Sequence, residues 1–162
     1  MKKNIIALDS PDIPFNTGNI GRTCVATNTE LHLIRPLGFS ISDKYVKKAG
    51  MDYWPHVDLH VWDSLDEFMQ FAEEKAKNEG FKIIYLSTKS DKNFTQLDVG
   101  SGPCIMLFGS ESTGLDEDFM REHPERCYRI PMYADTRCLN LSNSAAITVY
   151  EVLRQEGYPN LH

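Results

Sequence analysis

The sequence holds no C-x-x-C pair, no H-E-x-x-H and no apolar run of membrane-spanning length. Its four cysteines, Cys24, Cys104, Cys127 and Cys138, lie too far apart for a zinc site or for the disulfide framework of a small secreted domain. The five histidines are equally scattered, so no structural metal is expected. The N-terminus, MKKNIIALDS, is a lysine pair followed by a short strand-like run. It lacks the long apolar region and cleavage site of a signal peptide. A cytoplasmic protein without a membrane span is expected.

Positive charge is also scarce: 17 Lys and Arg against 23 Asp and Glu give a net charge of −6. That excludes a general nucleic-acid coat, whose affinity depends on many clustered cations. It does not exclude a single basic face on an otherwise acidic surface. The local clusters are Lys2-Lys3, Lys44 with Lys47-Lys48, and Lys89 with Lys92, each ordinarily a solvated face. Several nucleotide signatures are missing as well. DSPDIPFNTG after the first apolar run contains no G-x-G-x-x-G, GSESTG lacks the G-K-[ST] ending of a P-loop, and no G-x-S-x-G occurs.

What is present reads as one soluble α/β domain of 162 residues, 41% hydrophobic and 25% charged. Short apolar runs at 4–8, 31–36, 57–62, 82–87, 104–109 and 127–131 predict strands. Helices are expected to open around 16–23, over 42–50 with Ser42 as cap, at 65–79, and around 115–121. Over 65–79, Ser64 and Glu67 form a capping box and Gly80 closes the helix. The last helix is expected to begin at Ser142 or Asn143, where a polar loop meets Ser144, Ala145 and Ala146, and to end near Glu156. Such a start offers free amides and hydroxyls to a polar ligand. The plain alternative is a capped terminal helix docked on the core. Continuous apolar strands alternating with helices imply a parallel sheet covered on both faces.

Three segments stand out: NTGNIGRT (16–23), FGSESTGL (108–115) and RIPMYADTRCLNLSNS (129–144). Each alone reads as a tight, glycine-permitted turn, and GNIG also matches the G-x-x-G loop of KH-type RNA binders. In order, they spell Asn-x-Gly-Asn-x-x-Arg-Thr, Phe-Gly-x-Glu-x-x-Gly-Leu, and Ile-Pro-Met followed by Leu-Asn-Leu-Ser-Asn-Ser-Ala-Ala. This succession resembles the three motifs of the SPOUT RNA 2′-O-methyltransferases and runs from the first strand to Glu151. AGMDYW (49–54) and QEGYP (155–159) resemble the small TrmL-type (YibK-type) branch, which methylates the wobble nucleotide of certain tRNAs.

The resemblance implies a parallel sheet flanked by helices with a C-terminal deep trefoil knot, one of the few exceptions to the rule against knots. It implies S-adenosylmethionine as methyl donor, S-adenosylhomocysteine as product, the tRNA anticodon loop as partner, and a homodimer with sites at the subunit interface. For the donor it points to Leu86, Gly109, Ile130, Cys138 and Leu139, with Ser142 and Ser144 at the helix start. Cys138 departs from the serine that relatives often carry. On the acceptor side it points to Arg22, which is always protonated and therefore suited to gripping a phosphate or a developing alkoxide rather than to removing a proton. Asn143 and Tyr150 are further catalytic candidates. Asn16 and Glu111 are expected to hold their loops, and Arg154 to face RNA or a partner subunit. The competing expectations are methylation of another tRNA site or of ribosomal RNA, a non-catalytic RNA-binding module built on GNIG and the lysine clusters, and a small-molecule α/β enzyme.

Overall fold

A computed structural model describes residues 2–42, 44–100 and 102–162. Six parallel strands form one sheet in the order β3-β2-β1-β5-β4-β6. Their ranges are β1 Ile5–Asp9, β2 Glu30–Ile34, β3 Leu59–Trp62, β4 Lys82–Leu86, β5 Cys104–Phe108 and β6 Cys127–Tyr128. The helices between them are α1 Pro14–Thr27, α2 Lys44–Gly50, α3 Leu65–Glu79, α4 Glu117–Glu122 and α5 Leu141–Glu156.

The pleat explains both layers, because successive strand residues face opposite sides. Ile6, Leu8, Leu31, Leu33, Met106 and Phe108 point to one face. There they bury Ile20 and Cys24 of α1 and Ala145, Val149 and Val152 of α5. Ile5, Ala7, Ile83, Tyr85, Ile105 and Leu107 point to the other, against Phe68 and Ala72 of α3 and Met120 of α4. With both faces covered, the central strands have no polar side to show. Asn4 ties the ends together. Its Oδ1 accepts from the Cys104 amide at 2.6 Å and its Nδ2 donates to Glu156 at 3.0 Å.

Helix α3 has the expected bounds, and the Ser64 hydroxyl accepts from the Glu67 amide at 3.2 Å. The reciprocal half of the expected box goes elsewhere: Glu67 Oε2 accepts from the Asp63 amide at 3.2 Å. In the segment 42–50 the described helix is Lys44–Gly50; Asp43 lies outside the described residues, and the Ser42 hydroxyl pairs with Ser40 at 2.7 Å. The last strand is shorter than the expected 127–131. Beyond Tyr128 the backbone of Arg129 bonds instead to Lys92 and Phe94, at 2.7 and 2.8 Å. A capped 3-10 turn at Phe94–Gln96, closed by Asn93 and Gln96, was not foreseen.

The largest correction concerns NTGNIGRT. A helix does open here as expected, but from Pro14, so the whole segment lies inside α1 and none of it is a turn leading into the helix. GNIG is therefore helical and carries no KH-like loop. Gly18 is needed for a different reason than a turn: a Cβ there would lie 2.4 Å from the Val46 carbonyl oxygen and 2.6 Å from Ala49 Cβ. The glycine lets α1 and α2 touch backbone to backbone.

Candidate active site

Strand order reverses at β1, which lies between β2 and β5. In open parallel sheets, ligands bind at that switch, outside the carboxyl ends of the strands. A cavity of about 410 Å³ opens there. Leu86 closes β4 and Gly109 follows β5, while Ile130, Met132, Cys138 and Leu139 line it from the segment entering α5. Of the positions singled out for the donor, Ser144 also lines it and Ser142 does not. Asn16 and Glu111 belong to the same wall.

A hydrogen-bond chain locks the three motif segments together. Glu111 Oε2 accepts from the Asp12 amide at 2.7 Å, and its Oε1 accepts from the Ile13 amide and from Asn16 Nδ2, both at 3.1 Å. Asn16 Oδ1 in turn accepts from Asn140 Nδ2 at 3.0 Å. Asn140 Oδ1 caps α5, accepting from the Ser142 amide at 2.9 Å, the Ser142 hydroxyl at 2.6 Å and the Asn143 amide at 3.4 Å. The residue types follow from the wiring. Asn16 must donate at one end and accept at the other, which a carboxylate cannot do. Glu111 sits at the start of α1, whose N-cap Ile13 has no capping side chain of its own. Its carboxylate binds the two backbone amides just ahead of the helix and opposes the positive end of the helix dipole.

The cap of α5 corrects the expected helix start. Asn140 is the N-cap and the helix begins at Leu141, so Ser142 and Asn143 already lie in the first turn. Their amides are taken by Asn140 rather than left for a ligand. Asn140 was missed because LNLSNS offers Asn140, Ser142 and Asn143 as caps within four residues, and local preference does not rank them. Asn143, Tyr150 and Arg154 fall outside the cavity wall. They recur at helical spacing on one exposed face of α5, with Arg154 paired to Glu151 through two bonds of 2.9 Å.

Gly109 was expected to admit a ligand; its own loop is the reason it is glycine. A Cβ there would lie 2.1 Å from both the Gly114 carbonyl carbon and the Leu115 amide nitrogen. The loop folds back through Gly114, at φ +70°, whose amide donates to the Ser110 carbonyl at 2.9 Å. Gly109→Ala is expected to cost about 1–3 kcal/mol, at the upper end because backbone must move, and to weaken ligand binding in the cavity. Chemical denaturation with a cofactor titration reads both. A stable variant with unchanged binding would show that the loop yields freely.

Arg22 stands about 9 Å along α1 from Asn16, at 1.5 Å per residue, and is exposed outside the cavity wall. Its Nη1 donates to the Met51 sulfur at 3.1 Å, and its guanidinium lies 5.4 Å from the centre of the Tyr53 ring. Among the described residues no carboxylate pairs with it. A sulfur and a π face orient the group without neutralising it, which leaves the cation available to an anion. Cys138 is exposed beside the cavity; Cys24 and Cys104 are buried, and burial pushes both thiols well above their ordinary range.

Among the described residues one set of side chains is close enough to hold a cation: Glu30, His32 and His60. Its hydrogen bonds argue otherwise. Trp62 Nε1–H donates to His32 Nδ1 at 3.0 Å, so Nε2 carries the proton and donates to Glu30 Oε2 at 3.0 Å. A metal on Nε2 would force a proton onto Nδ1, against the indole N–H. Burial holds His32 below the usual imidazole value, opposed by the Glu30 hydrogen bond. The folded imidazole stays neutral while the unfolded one takes a proton below about pH 6.5. This contribution is thus present above that pH and lost as pH falls toward the folded value. Urea denaturation should show stability falling as pH drops from 7 to 5.5, and falling less in His32→Gln. An equal loss in the variant would place the pH dependence elsewhere.

The model of the SpoU rRNA methylase family matches residues 3–150. A Geobacillus stearothermophilus protein, provisionally named a tRNA (cytidine(34)-2′-O)-methyltransferase, is 48% identical over 158 residues, covering 96% of this chain and 97% of its own. A solved structure described as giving insight into the 2-OH methylation of C/U34 on tRNA superposes with a TM-score of 0.86 at 36% identity. It covers 97% of this chain and 98% of that one. The SpoU methyltransferase AviRb of Streptomyces viridochromogenes, solved with the cofactor AdoMet, shares the fold with a TM-score of 0.83 at 22% identity, over 96% of this chain and 59% of its own. With motifs, fold and matches all spanning nearly its whole length, the chain belongs to the SpoU methylase family.

Proposed function

We propose that this chain transfers a methyl group from S-adenosylmethionine to the ribose 2′-OH of the wobble nucleotide of tRNA, a cytidine or modified uridine at position 34. The observation that carries the reading is the Glu111–Asn16–Asn140 chain, which draws all three motif segments around one cavity. Relatives of nearly the same length bear that activity in their names. The cavity fits the donor in size, since small-molecule sites run from about 300 to 1,000 Å³. It fits in character too: Leu86, Ile130, Leu139 and Leu141 offer apolar surface for a heteroaromatic ring, and Ser87 and Ser144 offer hydroxyls for polar groups.

When bound, the cofactor supplies an electrophilic methyl on a sulfonium. The chain's own part is to fix two reactants in one geometry and to answer the charge that develops on the acceptor oxygen. Apolar walls at Leu86, Ile130 and Leu139 grip the donor and keep water from it. Arg22 holds a phosphate of the RNA or the forming alkoxide. Its place outside the cavity wall of its own chain supports a homodimer, in which a second copy completes the site. We further propose that the chain is a single catalytic domain, that the segment entering α5 is threaded as a trefoil knot, and that the protein works in the cytoplasm beside its substrate. No helix among the described residues is long and apolar enough to cross a membrane.

A second reading, methylation of ribosomal RNA, draws on the family's description alone. The non-catalytic module loses its GNIG loop, which is helical, and keeps only its lysine clusters. Calorimetric titration with S-adenosylmethionine tests the enzyme against the module. Saturable binding at one site per chain is expected, and no heat of binding would favour a protein that only holds RNA.

A further inference from the structure

Beside the cavity two rings stand together in solvent. Phe15, in the first turn of α1, and Tyr45, in the first turn of α2, have ring centroids 5.2 Å apart and planes inclined at 34°. They remain 42% and 41% exposed, so the pair leaves an aromatic face open to water. The close helix contact at Gly18 brings the two helix starts together. Ile13, two residues before Phe15 and 44% exposed, belongs to the cavity wall. On the other side lies positive charge. Lys44 Nζ is 5.1 Å from the centre of the Tyr45 ring, and Lys47 and Lys48 follow on α2, exposed and with no carboxylate paired to them among the described residues. The helix KYVKKAG carries three lysines and no acid, in a chain of net charge −6.

We propose that the Phe15–Tyr45 pair is a stacking platform for an unpaired base of the RNA substrate next to the methylated nucleotide, with the α2 lysines on the adjoining phosphates. The proposal rests on the methyltransferase reading and names its substrate-side surface. Aromatic faces beside cations are how proteins hold single-stranded nucleic acid with little regard to sequence. A second copy of the chain suits the surface less well. A two-fold contact sets each patch against itself, which would bring Lys44, Lys47 and Lys48 against their own copies. RNA supplies both the ring and the countercharge. Phe15 stands in the chain between Ile13 and Asn16, both in the cavity wall, so a base stacked on the pair lies near the reacting ribose.

The test is binding of a synthetic anticodon stem-loop RNA, followed by fluorescence anisotropy, with a fully paired duplex of equal length as control. Phe15→Ala and Tyr45→Ala are each expected to weaken stem-loop binding about tenfold or more. Tyr45→Phe should bind as the unaltered protein does, and the duplex should be held equally by all. Phe15→Leu keeps a bulky apolar residue and removes the ring, so the same loss there separates stacking from folding. Lys47→Ala with Lys48→Ala should lower the slope of log affinity against log salt by about 0.7 per lysine. Unchanged stem-loop affinity in both alanine variants overturns the platform. So does a loss that appears only together with dissociation in sedimentation, which would assign the face to a second copy. Stem-loop binding that needs both rings but leads to no methyl transfer would sink the methyltransferase reading and leave the platform standing. Unchanged KM for the RNA in the alanine variants would do the reverse.

Discussion

Arg22→Ala is expected to lower methyl transfer to tRNA by roughly 10²–10³-fold, the usual cost of one missing donor at a developing oxyanion. Calorimetric affinity for S-adenosylmethionine should stay within error, because Arg22 stands outside the cavity wall. Its neighbours are a sulfur at 3.1 Å and the Tyr53 ring, so removing the guanidinium strands no buried charge and fold stability should barely change. Arg22→Lys should recover only part of the rate, since an ammonium cannot offer the planar fork that matches a phosphate. An equal fall in cofactor affinity would move Arg22 from the acceptor side to the donor side.

Glu111→Ala is the variant expected to do most damage to the site as a whole. It leaves the amides of Asp12 and Ile13 and the side chain of buried Asn16 without their shared acceptor. Bonds to a charged acceptor contribute about 1.5–3 kcal/mol each, and an orphaned buried donor costs about as much. A loss of about 3 kcal/mol in denaturation is expected, less than the sum because the amides nearest solvent rehydrate. Asn16 then loses the anchor that aims its Oδ1 at Asn140, so cofactor binding should fall with stability. Glu111→Gln keeps one carbonyl acceptor and should land between. Full stability and full cofactor affinity in Glu111→Ala would mean that the three segments hold their places without the lock.

The sheet was legible in the sequence because its strands are buried on both faces. IIAL, IIYL and CIMLF are apolar without interruption and buried throughout, so no surface exposure blurs the pattern. Helix α3 was legible to the residue, since an amphipathic stripe, Ser64 and Gly80 all agree. The site was harder. Glycine suggested loops at 16–23, but Gly18 and Gly21 serve close packing against α2 and Trp54, which local composition does not reveal. Asn140 was hidden among three equivalent cap candidates. Its partner Asn16 lies 124 residues away, and only the folded sheet brings them to 3.0 Å. The far end of the expected strand 127–131 was misjudged for the same reason, although β6 does begin at Cys127. The apolar run predicts pairing but not the partner, and beyond Tyr128 the partner is the Lys92–Phe94 loop instead of β4. Family motifs brought Gly109, Ile130 and Leu139 to attention, while the physical reason for Gly109 appeared only with the loop that covers it.

The central claim is methyl transfer to a single ribose. Incubation of unmodified tRNA with methyl-labelled S-adenosylmethionine and this protein, followed by nuclease mapping of the label, tests it most directly. The expected result is one 2′-O-methyl group on nucleotide 34, the position named for the relatives. Label on a base or on another nucleotide, or no label at all, would contradict it.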